Sequence, residues 1–145
     1  DPLWSRGLGD VYKRQEVDKA VSLIKEFSKD FAVLHCVSSY PTEDDDVNLR
    51  VIPTLKEKYD CPIGYSGHEK GIAICTSAIA IGACIIERHF TLDRTLKGPD
   101  HASSVEPNGM GHIVVRSKRI FNAMGSSDKR ILDCELKNRK KFRGY

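Results

Sequence analysis

Ile63-Gly64-Tyr65-Ser66-Gly67-His68-Glu69, taken with Ile85-Ile86-Glu87-Arg88-His89-Phe90-Thr91, sets the architecture of this chain. Each stretch is a short apolar run ending in a polar cluster that contains one histidine. Buried parallel strands have this pattern, and α/β enzymes place their chemistry at the carboxyl ends of such strands. Two such ends side by side would bring two imidazoles together, enough to begin a site for one metal ion. A strand-end histidine bonded only to backbone is the commoner arrangement. On these residues alone both remain open.

Working outward, Val17, Ala20, Val21, Ile24 and Phe27 fall on one stripe and predict a helix over 16–29. Phe31 to Cys36 predicts a first strand, followed by a polar loop over 37–46. A helix is expected from about Arg50 to Tyr59, with Pro53 tolerated only in its first turn. Pro62 to Ser66 predicts the second strand and Cys84 to His89 the third. Between them, residues 71–83 are apolar nearly all round and predict a heavily buried helix. A long loop over 91–106 leads to a last helix from Pro107. Its stripe is Met110, Ile113, Val114, Ile120, Phe121 and Met124, and Gly125 is the stop. Strands alternating with helices imply parallel βαβ units. Three strands do not close a sheet, so the pattern describes a small open sheet or a slice of a larger barrel. Residues 1–15 lack periodicity and are set aside as a tag or assembly artefact. Residues 126–145 are expected to form a linker.

The 145 residues suit one domain, and a hydrophobic content of 40% supports a core. The net charge of +3 comes from the end of the chain, where Lys137, Arg139, Lys140, Lys141 and Arg143 occur without an acid. The body is slightly acidic, which argues against a nucleic-acid surface, and a basic run of this kind is expected to be solvated. Five cysteines without CxxC spacing, and no signal peptide, favour a reducing, cytoplasmic setting. Four of them, Cys36, Cys61, Cys75 and Cys84, lie in or beside apolar runs, where Cys acts as a small hydrophobe. No apolar run approaches the ~20 residues of a membrane span.

Three stretches carry a family resemblance. The first is His35-Cys36-Val37-Ser38-Ser39-Tyr40-Pro41-Thr42, with Asp46-Val47-Asn48-Leu49-Arg50. The second is Ile63 to Glu69, with Gly71-Ile72-Ala73. The third is Glu87-Arg88-His89-Phe90-Thr91-Leu92-Asp93, continuing through Lys97-Gly98-Pro99-Asp100-His101-Ala102-Ser103. Together with Glu135 to Lys140 they resemble the N-acetylneuraminate (sialic acid) synthase family, over about residues 16 to 143. The resemblance implies a partial (β/α)8 TIM barrel over 16–125, made of the last three strand–helix units with parallel strands. Residues 126–145 would then lead toward an antifreeze-like domain outside these residues. The complete enzyme is implied to be a homodimer.

The implied reaction joins phosphoenolpyruvate to open-chain N-acetylmannosamine, giving N-acetylneuraminate and phosphate. A divalent cation, Mn²⁺ or Mg²⁺, would assist as a Lewis acid. His68 and His89 match the family's metal ligands. Glu87 and Asp100 match catalytic positions, and Asp100 also lies near the sugar. Ser38 and Ser66 match contacts to phosphoenolpyruvate, and Tyr40 matches a sugar-facing tyrosine. On its own chemistry Glu87 could tune a metal, handle a proton or form a buried ion pair, and Asp100 could be a plain turn residue. His35 is expected to be structural and His112 to lie on a helix surface, while His101 stays ambiguous. Synthases of legionaminic or pseudaminic acid share much of the pattern, and a non-catalytic metal- or carbohydrate-binding module is a further alternative. The three-strand slice alone is expected to be inactive.

Overall fold

The structure, a computed structural model, describes residues 13–144. Among them, the α-helices and strands follow one another as α1 (Arg14–Phe27), β1 (Val33–Cys36), α2 (Val51–Lys58), β2 (Ile63–Gly67), α3 (Ala73–Ala80), β3 (Ile85–Arg88), α4 (Pro107–Met124) and α5 (Leu136–Arg143). The three strands form one open sheet in the order β1-β2-β3, both pairs parallel. Neighbours in chain order, parallel and joined by helices, are the arrangement of consecutive strands in a (β/α)8 barrel. No helix among the described residues is long and apolar enough to cross a membrane.

Register gives the two faces of the sheet different tasks. His35 pairs with Tyr65 and Tyr65 with Ile86, so these three point to one face. That face carries the core, which includes Val47, Ile52, Ile63, Tyr65, Cys75, Ala78, Val105 and Ile113. Cys36 pairs with Ser66 and Ser66 with Glu87, so these three point to the other face. Among the described residues no helix covers it along β3, where Ile85 is 37% exposed and Glu87 is also exposed. The third strand is therefore half-buried, where full burial was expected, and its alternation follows from having a packed side and an open one.

Gly64 sits in the middle of the open face, and a Cβ there would lie 2.8 Å from Leu34 Cγ and 2.9 Å from Ile85 Cβ. Gly82, at φ +114, makes the turn from α3 into β3 in a conformation that L side chains rarely adopt.

Several expectations need correction. Arg14 and Gln15 open α1, so helix begins inside the segment set aside; residues 1–12 lie outside the described residues. Phe27 ends α1 82% exposed and does not join the core. α3 spans only Ala73–Ala80, with Cys75, Thr76 and Ala78 buried and the rest of its surface partly open. α4 starts at Pro107 and stops at Gly125 as expected. Only part of its stripe packs, however: Ile113 is buried, while Val114, Phe121 and Met124 are exposed. For Phe121 and Met124 the cause is length. α4 packs against α3, which has 8 residues to its 18, so its last turns run past their support. Cys84, read as a small hydrophobe at an apolar run, is exposed. The expected linker contains α5, a short helix whose side chains are exposed except for Arg139.

Candidate metal and substrate site

The carboxyl ends of the three strands lie side by side, and the loops that leave the first and third bring Tyr40 and Asp100 beside them. β2 delivers Ser66 and then His68; β3 delivers Glu87 and then His89. The period-two alternation puts all four on that face. The rings of His68 and His89 meet with centroids 5.2 Å apart and planes at 74°. Tyr40, from the loop after β1, lies over both, with its centroid 4.2 Å from that of His68 and 5.5 Å from that of His89.

His68 is held from behind by the loop after β1. His68 is 5% exposed, and its Nδ1 donates to the Val37 carbonyl at 2.9 Å. Thr42 donates to the same carbonyl and to that of Ser39, and its own backbone N–H bonds the His68 carbonyl, so the loop is stapled to the strand. With Nδ1 protonated, the His68 Nε2 lone pair is available to a ligand. His89 Nδ1 lies 3.9 Å from Asp100 Oδ2, which brings a carboxylate from the long loop beside it. Ser66 Oγ donates to Glu87 Oε1 at 2.7 Å, a hydroxyl–carboxylate pair at the floor of the site. Ser38 lies at the edge, its Oγ 3.8 Å from Cys36 Sγ, and that thiol is also 3.8 Å from His68 Nδ1.

The structure thus brings Tyr40, Ser66, His68, Glu87, His89 and Asp100 to one end of the sheet, with Ser38 at its edge. The other histidines separate from them. His35 Nε2 donates to the Val47 carbonyl at 2.6 Å, a structural bond, and His112 lies exposed on α4. His101 Nδ1 is 2.8 Å from Thr91 Oγ1 and takes part in the loop's own bonding. Glu87 is not a buried ion pair, because Arg88 points to the opposite face and bonds Glu69.

Two converging imidazoles suit a divalent cation that takes mixed nitrogen and oxygen ligands. No group of three or more His, Cys, Asp or Glu side chains able to hold a metal occurs among the described residues. Oxygens of water or substrate would therefore complete the shell, as in catalytic sites that keep open positions.

Beneath the site is a buried cluster that the sequence did not single out. Glu69 and Arg88 form an ion pair with both side chains at 0% exposure. Tyr65 OH donates to Glu69 Oε2 at 2.8 Å. Burial first, then the Glu69 carboxylate, pushes the Tyr65 phenol well above its usual range. Burial likewise raises the Cys75 thiol.

A model of the NeuB family matches residues 5–129, a span that starts earlier than the motifs read from the sequence. The chain is 46% identical over 115 residues to the N-acetylneuraminate-9-phosphate synthase of Homo sapiens, covering 79% of this chain and 32% of that protein. It is 39% identical over 137 residues to the N,N'-diacetyllegionaminic acid synthase of Legionella pneumophila, covering 91% and 38%. Among solved structures, the N-acetylneuraminic acid synthetase of Leptospira borgpetersenii, in complex with citrate, superposes with a TM-score of 0.82 at 42% identity, over 94% of this chain and 49% of that one. The chain thus spans roughly a third of the length of these curated relatives and half that of the solved chain. By the family model and by these relatives, which agree with the sheet and its motifs, the chain belongs to the NeuB family.

Proposed function

We propose that these residues serve an enzyme that condenses phosphoenolpyruvate with N-acetylmannosamine and water to give N-acetylneuraminate and phosphate. The convergence of His68 and His89 over an open sheet face, with Ser66, Glu87 and Asp100 around them, carries the proposal. The methylene carbon of phosphoenolpyruvate forms the new C–C bond with the aldehyde carbon. Water adds at the enol carbon, and phosphate leaves with cleavage of its C–O bond. The oxygen of the added water becomes the ketone oxygen, so both of its protons are handled: one ends on the aldehyde oxygen and the other on the departing phosphate.

The chain's own groups divide this work. Ser66 and Ser38 stand at the ends of adjacent strands, where their hydroxyls can donate to the phosphate or carboxylate of phosphoenolpyruvate. Glu87, on the same face, accepts the first proton that water releases, as it adds to the enol carbon. Asp100 orients the sugar beside His89, and Tyr40 walls the sugar side. A divalent cation, Mn²⁺ or Mg²⁺, held by His68 and His89 would supply Lewis-acid polarisation of the aldehyde oxygen.

The 145-residue chain on its own is expected to give no turnover, because β1 and β3 each present an unpaired edge and the site face is open to solvent. The test therefore places residues 13–129 in the corresponding span of the human relative, and phosphate release is measured with phosphoenolpyruvate and Mn²⁺. N-acetylmannosamine, its 6-phosphate and the diacetylated sugars of the legionaminic and pseudaminic reactions are the competing acceptors. Turnover with N-acetylmannosamine that falls by at least ~10–100-fold in His89→Ala, and is unchanged in His112→Ala, supports the proposal. Turnover confined to a diacetylated sugar would replace it with the related synthase, and no turnover with any acceptor would favour a binding module.

A further inference from the structure

The buried ion pair has a particular position in the chain. Glu69 directly follows His68, and Arg88 directly precedes His89. Their side chains meet on the packed side of the sheet while the two imidazoles meet on the other. Arg88 Nη1 bonds Glu69 Oε1 and the Gly71 carbonyl; Nη2 bonds the Glu69 and Ser103 carbonyls. Ser103 Oγ and Ser104 Oγ in turn both donate to the Asp100 carbonyl, at 3.1 and 2.6 Å. One guanidinium therefore reaches the strand end that carries His68 and the loop that carries Asp100, from the residue next to His89.

Taking two charges out of water brings little net stability when the same volume could be filled with apolar side chains. What a planar, multiply bonded fork does well is fix positions. We propose that Arg88 is a positioning residue: anchored by Glu69, it sets the separation of His68 and His89 and holds the Asp100 loop against them. It lies on the face away from substrate and acts only through those three. The proposal rests on His68 and His89 being metal ligands.

A lysine at this place keeps the charge pair but cannot bond Glu69, Gly71 and Ser103 together. The test uses the 145-residue chain with Arg88→Lys, Glu69→Gln and, as a control on the metal assignment, His68→Ala. Amide hydrogen exchange is followed residue by residue, and binding is followed with Mn²⁺ alone by the resonance of the free ion. In Arg88→Lys and Glu69→Gln, protection is expected to be lost at Ser104 and Val105, whose N–H groups bond the His101 and His89 carbonyls, and kept at Tyr59, which caps α2 through the Leu55 carbonyl. Mn²⁺ binding should weaken on the order of tenfold, as for other groups that orient metal ligands. Uniform loss of protection would mean a merely structural pair and would overturn the proposal. So would unchanged protection at Ser104 and Val105, or a chain unprotected there before substitution. If His68→Ala leaves Mn²⁺ binding intact, the ligand assignment fails, and the positioning proposal fails with it. If His68→Ala abolishes binding and Arg88→Lys does not alter it, only the positioning proposal fails.

Discussion

His68 and His89 approach edge to face, 5.2 Å between ring centroids, although they lie 21 positions apart in the chain. Parallel pairing of β2 with β3 makes this possible, because Ser66 stands beside Glu87 and each histidine comes two residues later on the same face. The Val37 carbonyl then turns the His68 ring so that Nδ1 is occupied.

Ser66→Ala removes both a hydroxyl at the β2 end and the donor to Glu87. Loss of such a bond costs about 1 kcal/mol of stability. In the active chimera, the KM for phosphoenolpyruvate should rise while that for the sugar changes little. Steady-state kinetics with each substrate varied in turn gives the answer; an effect confined to the sugar would move Ser66 out of the phosphoenolpyruvate subsite.

Tyr65→Phe deletes the donor to a buried carboxylate and should cost about 1.5–3 kcal/mol, read from urea unfolding at neutral pH. The difference should shrink in alkali. The folded state favours the neutral phenol, so the stabilisation is complete below the unfolded value of about 10 and is lost as pH rises beyond it. A gap between wild type and variant that widens above that pH would contradict the burial of the hydroxyl.

Gly64→Ala places a methyl against Leu34 and against both the side chain and the carbonyl of Ile85. Overpacking of this kind costs about 1–3 kcal/mol. Gly111→Ala, where nothing lies near the added carbon, is the comparison and should not destabilise. Unfolding midpoints of the two variants in parallel separate crowding from any general effect of removing glycine.

The faces of the third strand were legible in the sequence because strand alternation is a simple rule, while Ser38, Tyr40, Ser66 and Asp100 were picked out only by the family resemblance. Alternation put Glu87 and His89 on one face and Arg88 on the other, as the structure has them. The Glu69–Arg88 pair was harder to see, since its partners lie 19 residues apart on different strands. The available clue was Arg88 itself: a charge on the packed face must find an acid, and Glu69 lies two residues past Gly67, which pairs with Arg88. The exposed half of α4 was hidden for another reason. Its apolar stripe is regular, but whether a stripe is covered depends on the length of the neighbouring helix, which periodicity does not report.

The proposed function depends most on His68 and His89 binding one divalent cation. Pulsed electron paramagnetic resonance of Mn²⁺ added to protein with ¹⁵N-labelled histidine measures this directly. Coupling to two imidazole nitrogens is predicted, reduced to one in His68→Ala and in His89→Ala and unaltered in His112→Ala. Bound Mn²⁺ with no imidazole coupling, or coupling that survives both substitutions together, would contradict the claim.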